Sequence, residues 1–411
     1  MRKVCGLDVH KNSIFCGIYN GKKQEDVVIY GTLSSDIRTL ARDLLAEGVK
    51  EVAMESTGIY WIPIWNILET YDFELTLVNP YYIKQMPGRK SDVKDAQWIA
   101  KLLYRKMLRG SYVPDQSIRE LRSYSRREFK LQGRRTSSLQ ELERTLEMCN
   151  IRITSFTSNI DALSVRKIVS LIILGETNPK ILAECVHGRI RNKHKEKIEL
   201  SLDGVVPEHL RFTLELIYKE LLQIEEHIQM LNNRILEICD RQYKEEMELL
   251  ISIPGVQSKS ASIIIAESGH DLKAFDSSKR YASWVGLCSR NDESAGKFKS
   301  RAITKGNRYL RRVLVQVAWA STRSKGTYFE AKFKKLIVRK GPTKSLVAIA
   351  RKMSVIIWSI IREKKMFDPD MLPIYDPKNL EKVIEYHKES IKKLQDIFEL
   401  EIEANTFHAN A

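Results

Sequence analysis

Two aspartates three residues apart, Asp92 and Asp95, form a pair of side chains whose types and spacing suggest chemistry. They open an amphipathic segment, residues 91–105, that is predicted to be a helix, and residues three apart share one helix face. Capping is one explanation, with Ser91 as the N-cap and the acids placed where the helix dipole favours negative charge. A shared metal site is the other, and the rest of the sequence bears on that choice.

Two further acids stand at the ends of predicted strands. Asp8 ends the strand KVCGLDV, and Glu55 ends the strand EVAME. Four carboxylates gathered beside one sheet would repel one another unless cations neutralise them. Mg²⁺ prefers hard oxygen ligands, and two ions about 4 Å apart can hold the attacking and leaving oxygens of a phosphodiester. We therefore predict that Asp8, Glu55, Asp92 and Asp95 are catalytic residues that bind two Mg²⁺ ions.

The elements that must position these acids alternate in hydrophobic period. KVCGLDV, SIFCGIYN and DVVIYGT are predicted to be three strands in a meander, and the Asn-Gly of NGKK is the turn between the last two. Strands EVAME and FELTLVN then alternate with helices at 34–47, 59–69 and 91–105, the second interrupted by Pro63. This order predicts an α/β domain of the ribonuclease-H-like type.

The charge of the chain predicts a polyanionic partner. The net charge is +16 and the isoelectric point is about 9.4, which favours nucleic acid. Between residues 297 and 365 there are 20 lysines and arginines against two glutamates. A second basic segment, predicted to be helical, covers residues 117–150 and is either a phosphate-binding face or a solvated surface. Its basic residues are Arg119, Arg122, Arg126, Arg127, Lys130, Arg134 and Arg135.

The rest of the chain is predicted to be mainly helical. Residues 151–205 are predicted to be shorter helices and loops. A heptad seam follows, which predicts a coiled coil or a helical hairpin, within one chain or between chains. Its residues are Leu210, Leu214, Ile217, Leu221, Ile224, Ile228, Leu231, Ile235 and Ile238. The segment LLISIPGVQSKSASIIIAESG then has the form of a helix-hairpin-helix, in which the turn at Gly255 would present backbone N–H groups to phosphate.

Several classes of protein are disfavoured by composition. The six cysteines form no CxxC and the eight histidines form no HExxH, so neither a zinc site nor a disulfide framework is expected. The first residues lack the apolar core of a signal peptide, and no run of about 18 apolar residues suggests a membrane span. We expect a reduced, soluble protein of the cytoplasm with no membrane partner.

Several longer motifs occur in a fixed order: GLDVHK, MESTGIYW, VNPYYIKQMPGRKSDVKDAQWIA, IPGV and SAGKFKSRAITKGNRYLRRVL. They span about residues 4–320. On these motifs the chain resembles the DEDD transposases of the insertion-sequence 110 family. These transposases are relatives of the Piv-type DNA invertases and are themselves described as bridge-RNA-guided recombinases. The resemblance implies a RuvC-like nuclease domain, a coiled-coil region and a mainly helical transposase domain, and it matches Asp8, Glu55, Asp92 and Asp95 to the family's acidic tetrad.

The resemblance also implies a nucleophilic serine, which maps to Ser294 in the loop before the Lys-Gly-Asn helix. This chain has SAGK where the family pattern has Ser-Gly, so Ser289 and Ser300 stay as alternatives. A serine hydroxyl needs activation before it attacks phosphate, and nearby cations would balance the charge that builds up there. The basic residues predicted to bind nucleic acid in this part of the chain are Lys297, Lys299, Arg301, Lys305, Arg308, Arg311 and Arg312.

The resemblance further implies the domains and partners. We expect a nuclease domain at 1–116, basic and coiled-coil helices at 117–246, the transposase domain at 247–366 and a tail at 367–411. The expected partners are double-stranded donor and target DNA, a structured guide RNA, and further copies of the chain in a dimer or tetramer whose protomers share an active site. The expected location is the prokaryotic cytoplasm, in association with the nucleoid.

Three functions compete at this point. The first is a Mg²⁺-dependent DNA transposase or recombinase with a covalent phosphoserine intermediate. The second is a Mg²⁺-dependent RuvC-like nuclease or junction resolvase that cuts with water and has no serine intermediate. The third is a nucleic-acid-binding protein with a decayed site, which the complete set of four acids disfavours.

Overall fold

A computed structural model describes residues 2–22, 26–80, 92–108, 110–157, 159–289, 292–294, 297–300 and 302–369, with short stretches between 384 and 398. For residues 92–94, 292–294 and 297–299 the description covers the backbone alone. The chain forms two units, Met1–Pro114 and Asp115–Ala411. The four-part division expected from the sequence stays a prediction.

The first unit is built on a six-stranded mixed sheet of order β3-β2-β1-β4-β5-β6. β1, β2 and β3 form the antiparallel meander, β4 and β5 continue from β1 in parallel, and β6 closes the edge in the antiparallel direction. The strands are β1 (Lys3–Val9), β2 (Ile14–Tyr19), β3 (Val28–Tyr30), β4 (Val49–Glu55), β5 (Glu74–Val78) and β6 (Gly110–Ser111). The meander and the alternation that follows it agree with the prediction, and this mixed sheet fits a RuvC-like domain.

Helices cover the two faces of this sheet. Among the described residues of this unit the helices are α1 (Ser34–Ala46), α2 (Trp61–Leu68) and α3 (Asp92–Tyr104). On one face, Cys5, Leu7 and Val9 of β1 share a hydrophobic cluster with α1 and α2. On the other face, Val4 of β1 clusters with Ile99 and other residues of α3. β1 is therefore buried on both sides, which explains why its sequence is apolar at nearly every position.

The predicted interruption of the second helix at Pro63 is wrong. α2 begins at Trp61, so Pro63 lies in its first turn. Backbone N–H groups in a first turn have no partner within the helix, and a proline there removes no hydrogen bond. The helix therefore runs unbroken to Leu68.

The described part of the second unit is helical apart from a small hairpin. Its helices are α4 (Gln116–Met148), α5 (Leu163–Ile173), α6 (Pro179–Glu184), α7 (Gly188–Leu202), α8 (Glu208–Gln242), α9 (Lys244–Ile251), α10 (Ser258–Ser268), α11 (Ser278–Val285), α12 (Arg308–Ser321), α13 (Tyr328–Lys340) and α14 (Pro342–Glu363). A 3₁₀ turn covers Ile153–Ser155, and the hairpin consists of β7 (Asp292–Ser294) and β8 (Lys297–Ser300). No helix in the described ranges is long and apolar enough to cross a bilayer.

The two long helices α4 and α8 pack along one another. Three hydrophobic clusters contain residues of both helices: Ile118 with Ile238, Leu131 with Ile228, and Leu142 with Leu214. Residue numbers rise along α4 while those of the α8 partners fall. The pair is therefore antiparallel and lies within one chain. Eight of the nine seam residues are buried and Leu231 is half-buried. Because α4 covers the seam, this surface does not supply the contact between copies that the sequence left open.

The carboxyl-terminal helices share a core with one end of this pair. Ile118 of α4 and Ile238 of α8 belong to the same hydrophobic cluster as buried residues of α9 to α14, among them Phe329 and Met353. The helical region and the helices that follow it are thus packed as one body within the second unit. Leu287 and Leu310, which stand on either side of the hairpin in the sequence, also belong to this core.

Candidate active site

Asp8 and Glu55 lie at one edge and on one face of the sheet. β1 and β4 are parallel neighbours with Leu7 opposite Met54, so their carboxyl ends meet at the same edge. Side chains alternate between faces along a strand. Asp8 follows Val4 at an even spacing and Glu55 follows Ala53, and both of those residues belong to the cluster beneath α3. The two carboxylates therefore belong to the face that α3 covers.

A pair of glycines brings α3 close to this face. Gly6 and Gly17 are register partners on β1 and β2. A Cβ atom at Gly6 would lie 2.3 Å from the Ala96 carbonyl oxygen, and one at Gly17 would lie 2.9 Å from the Gln97 nitrogen. The helix backbone thus rests directly on the sheet, a contact that only glycine permits. Asp95 precedes this contact by one residue and is half-buried.

The environment of Asp8 reflects this crowding. Asp8 is 6 % exposed, and its Oδ2 lies 3.1 Å from Nε2 of His10. Burial raises the pKa of the Asp8 carboxyl, and the negative charges of Glu55 and Asp95 raise it further, against the opposing effect of His10. The Thr57 hydroxyl donates a hydrogen bond of 3.1 Å to Glu55. Three of the four predicted acids therefore interact in this region.

The ability of this region to bind a metal ion depends on which side chains could be its ligands. In the side chains that the structure describes, no three carboxylate, imidazole or thiol groups are arranged to hold a metal ion. Asp92 begins α3, but its side chain lies outside the described residues, as does all of Ser91. The donor set nevertheless fits a divalent cation, because its ligands are hard oxygens and their mutual repulsion is relieved by positive charge.

Ser294 is the last residue of β7 and pairs with Lys297, the first residue of β8. The side chains of Ser294, Lys297 and Lys299, and all of Arg301, lie outside the described residues. Of the alternative serines, Ser289 forms an isolated bridge with Ile303, and Ser300 accepts a hydrogen bond of 3.2 Å from the Ala302 nitrogen. The backbone thus places Ser294 at the end of a short two-stranded sheet.

The two segments that lead into and out of this hairpin, residues 284–288 and 304–307, cross in close backbone contact. We call this crossing the root of the hairpin. A Cβ atom at Gly306 would lie 2.3 Å from the Gly286 nitrogen, and Gly286 itself has a φ of +85°. Backbone hydrogen bonds from Thr304 to Cys288 and from Asn307 to Trp284 join the same two segments. Asn307 then caps α12 by accepting hydrogen bonds from the first turn. Gly306 is therefore needed for this crossing, and Asn307 forms the cap.

A buried glutamate ties three helices together at this point. The side chain of Glu267, at the end of α10, has no solvent exposure. It accepts two hydrogen bonds from Arg126 of α4, at 2.9 and 2.8 Å, and one from Asn307 at 2.7 Å. Arg122 donates to the carbonyl oxygens of Ala266 and Glu267. The start of α12 is thus fixed to α4 and α10 by charge-assisted hydrogen bonds.

The predicted basic face of α4 divides into two groups. Arg122, Arg126 and Arg135 are engaged within the protein, the last with Glu225 and Asp161. Arg127, Lys130 and Arg134 are exposed, and Arg119 is half-buried. The surface available to phosphate on this helix is therefore narrower than the sequence suggested.

The basic residues at and just before the start of α12 differ in their exposure to solvent. Lys305, Arg308 and Arg312 are exposed, whereas Arg311 is half-buried and donates to the Thr304 carbonyl oxygen. The Arg312 guanidinium lies over the Phe129 ring at 4.9 Å. Lys305, Arg308 and Arg312 therefore remain available to a phosphate backbone at the start of this helix.

Gly255 makes the turn between α9 and α10 with a φ of +86°. A Cβ atom there would lie 2.7 Å from the Ser321 nitrogen, so the turn packs against the end of α12. The Val256 nitrogen donates to the Ile253 carbonyl oxygen. The two helices and their turn occur as predicted, and the role of Gly255 in phosphate binding stays a prediction.

Two models of known protein families match this chain, one near its amino terminus and one in its carboxyl-terminal half. The family model for the DEDD transposases of insertion sequence 110, described as "Transposase", matches residues 5–151. A second model, described as "Transposase IS116/IS110/IS902 family", matches residues 247–334. The chain belongs to the insertion-sequence 110 family of transposases. The first match includes all four acids of this transposase and the second includes Ser294.

Individual relatives agree with this family. The transposase is 26 % identical to the transposase for insertion sequence element IS1111A of Coxiella burnetii over 299 residues, which are 71 % of this chain and 72 % of the relative. It is 25 % identical to a probable family 20 transposase of Pseudomonas aeruginosa, over 77 % of this chain and 86 % of the relative. It is also 30 % identical to the pilin gene-inverting protein of Moraxella bovis, over 32 % of this chain and 41 % of the relative.

Sequence reasoning missed several residues that shape the transposase's candidate site. His10 lies one residue past the predicted strand and two residues after Asp8, and an imidazole so close in sequence to a predicted metal-binding acid could have drawn attention to it. Gly6 and Gly17 interrupt two apolar strands, which is a general sign of close backbone approach. Glu267 carried no comparable signal, because its partners Arg126 and Asn307 are distant in sequence.

Proposed function

We propose that this transposase cuts and rejoins DNA strands through a serine nucleophile, Ser294, and a divalent-metal site formed by Asp8, Glu55, Asp92 and Asp95. The observation that carries the proposal is the convergence of Asp8, Glu55 and Asp95 at one edge of the sheet, with their effect on the pKa of Asp8. Crowded acids destabilise a fold, so a function that uses them is the better explanation. Two Mg²⁺ ions would neutralise these carboxylates and stabilise the charge that develops on phosphate.

The proposed reaction has two balanced steps. The Ser294 oxygen attacks a DNA phosphorus atom and loses its proton to a base, while one strand leaves as a hydroxyl group. The product is a phosphoserine ester joined to the other strand. A strand hydroxyl then attacks the same phosphorus, and the serine oxygen leaves and regains a proton. Lys297, Lys299 and Arg301 follow Ser294 closely in sequence and would balance the charge on the phosphate.

The family resemblance implies the nucleic-acid partners, and the positive charge of the chain agrees with them. We propose that double-stranded donor and target DNA and a structured bridge RNA bind to exposed basic residues, including Arg127, Lys130, Arg134, Lys305 and Arg312. A protein whose guide RNA reads sequence by base pairing needs shape and backbone recognition above all, which a broad basic surface supplies. We propose the prokaryotic cytoplasm, in association with nucleoid DNA, as the site of action.

The α4–α8 helix pair and the turn at Gly255 have proposed roles in this function. The antiparallel pair of α4 and α8 is proposed to be a coiled coil within one chain. The turn at Gly255 is proposed to act as a helix-hairpin-helix that offers backbone N–H groups of the following helix to phosphate. We further propose a homo-oligomer, dimer or tetramer, in which different copies supply the carboxylates and the serine.

The test is a search for a covalent adduct. The chain is purified from cells that carry its native flanking DNA, and the RNA that accompanies it is sequenced. The complex is then incubated with Mg²⁺ and that DNA, and a denaturing gel shows whether protein stays joined to DNA. Ser294→Ala and Asp8→Ala are compared with the control variants Ser289→Ala and Ser300→Ala.

We expect an adduct in the wild type and in both control variants, and none in Ser294→Ala or Asp8→Ala. One discrete RNA in the purified complex would support guidance. A mixture of the Ser294→Ala and Asp8→Ala proteins is expected to regain adduct formation if different copies supply the two groups. DNA cleavage that survives Ser294→Ala without an adduct would instead indicate a nuclease or junction resolvase that uses water.

A further inference from the structure

An open notch of about 510 Å³ lies where the root of the hairpin meets the start of α12. We call it the Trp284 notch and define it by Arg126, Trp284, Lys305, Arg308 and Tyr309. Trp284 and Tyr309 supply aromatic walls, and the other three residues supply positive charge. Among the described residues, no acidic side chain lines it. This combination is typical of sites that bind a nucleotide through its base and its phosphate.

Trp284 offers a supported aromatic surface. Its ring packs against Phe275 at a centroid distance of 4.9 Å and stacks on Tyr281 at 6.3 Å. Tyr281 is fully buried and its hydroxyl lies 2.8 Å from that of Ser268. Trp284 itself is 38 % exposed. The indole is therefore held by the core on one side while part of it faces solvent.

Two guanidinium groups flank the other aromatic ring. Arg126 lies over the Tyr309 ring at 4.7 Å and Arg308 lies over it at 4.9 Å. Arg126 is fixed by the buried carboxylate of Glu267. Arg308 donates to the Tyr309 hydroxyl, and neither Arg308 nor Lys305 forms an ion pair with a carboxylate of the described residues. Arg308 and Lys305 are thus available to an anion from outside the protein.

We infer that the Trp284 notch binds one unpaired nucleotide of a nucleic-acid strand. The base stacks on Trp284, and the adjoining phosphate binds Arg308 and Lys305. The nucleotide must be unpaired because a base inside a duplex is covered on both faces by its neighbours. Stacking on an indole face accepts any base, so the notch adds affinity and places the strand without reading its sequence.

The notch lies near the hairpin that carries Ser294. Ser289 bridges to Ile303 beside the notch, and Ser294 is five positions further along the chain, so the two Cα atoms are at most about 18 Å apart. An unpaired nucleotide in the notch would therefore lie within a few nucleotide lengths of Ser294. The inference rests on the proposed function only in that this unit binds nucleic acid, and it does not require Ser294 to be the nucleophile.

The test measures binding without any cleavage step. The full-length protein is titrated into a short duplex that carries one unpaired 2-aminopurine nucleotide, and into the same duplex fully paired, with DNA and RNA versions of each. Stacking on an aromatic residue quenches 2-aminopurine fluorescence. Trp284→Ala is compared with Trp284→Phe, which keeps an aromatic face. Trp319→Ala is the matched control, since Trp319 is 42 % exposed and lies beneath Arg323 at 4.6 Å outside the notch.

We expect Trp284→Ala to weaken binding of the duplex with the unpaired nucleotide by about fivefold to hundredfold, and to abolish the quench. Trp284→Phe and Trp319→Ala are expected to bind as the wild type does. Arg308→Ala is expected to lower the salt dependence of that binding, whereas Arg323→Ala leaves it unchanged. Because both arginines are exposed, this comparison holds even if Trp284→Ala fails to fold.

Equal losses in Trp284→Ala and Trp319→Ala would overturn the inference, as would an equal loss on the fully paired duplex. A difference between the DNA and RNA versions identifies which strand the notch receives. Loss of adduct in Ser294→Ala with intact notch binding, or the reverse, separates this inference from the proposed cleavage chemistry.

Discussion

Replacing Gly6 by alanine should separate the acids of the first unit without removing any of them. Gly6 lies on β1 two residues before Asp8, and α3 rests directly on it. The added Cβ atom would lie 2.3 Å from the Ala96 carbonyl oxygen and 2.4 Å from the Ala100 nitrogen. Both are backbone atoms of a helix, so no side-chain rotation can relieve the overlap.

The size of the effect follows from these distances. Ordinary contact begins at 3.4 Å, so α3 must move away from the sheet by about 1 Å at Gly6. Overpacking of this kind costs about 1–3 kcal/mol of unfolding free energy. A displacement of about 1 Å in catalytic groups can lower a rate about a hundredfold. At Gly17 the closest distance is 2.9 Å, so the shift there is about 0.5 Å and the loss of activity should be smaller.

The assay is the frequency with which the inserted element is excised from a donor plasmid, measured by quantitative PCR of the rejoined DNA. Urea unfolding of the same proteins gives the loss of stability. Gly133→Ala is the control, because nothing lies within 4 Å of a Cβ atom there and alanine favours its helix. We expect activity to fall in the order Gly133→Ala, Gly17→Ala, Gly6→Ala.

Retention of wild-type activity in Gly6→Ala, with only stability reduced, would refute the reasoning. It would mean that the distance between α3 and β1 does not position the acids for the reaction. Equal losses in Gly6→Ala and Gly17→Ala would contradict the graded displacement in the same way.

Three other predictions concern charge. Glu267→Gln should cost about 3 kcal/mol in urea unfolding, because a buried ion pair is broken, whereas Glu248→Gln on the surface should change little. Burial alone would raise the pKa of Asp161, but hydrogen bonds from two arginines outweigh this and lower it. A lowered folded-state pKa stabilises the fold above the unfolded value of about 3.9. The stability lost in Arg166→Ala, measured by denaturation at a series of pH values, should therefore be largest near neutral pH and shrink as the pH falls below about 4. Mg²⁺ at about a hundred times its dissociation constant should raise the unfolding free energy of the wild type by about 2.7 kcal/mol, and Asp8→Asn should abolish that increase in a calorimetric or denaturation measurement.

Hydrophobic periodicity was sufficient to predict the sheet and most helices, because it depends on residues that are close in sequence. The strand meander, the alternation that follows it and the long helix over the heptad seam all occur where the pattern indicated. The same pattern placed Asp8 and Glu55 at the ends of strands. Pro63 was misjudged because its effect depends on where the helix begins, and that boundary is set by packing of Trp65 and Leu68 on the sheet.

The sequence also showed which side chains could do chemistry and which family motifs they match. It could not show which surfaces are covered. The seam of α8 required a partner, and the pattern left open whether that partner was another chain; the structure supplies α4. The sequence predicted a uniformly basic face on α4, but Arg126 binds Glu267, 141 residues away along the chain, and Arg135 binds Glu225, 90 residues away.

The approach of α3 to Asp8 depends in the same way on distant residues. Gly6 and Gly17 are eleven positions apart and meet because β1 and β2 pair, and both lie beneath a helix that begins at Asp92. Local sequence thus determined the elements and the identity of the candidate catalytic groups. Only the tertiary structure determined which groups meet and which charges remain exposed, because those contacts join residues that the chain brings together only when it folds.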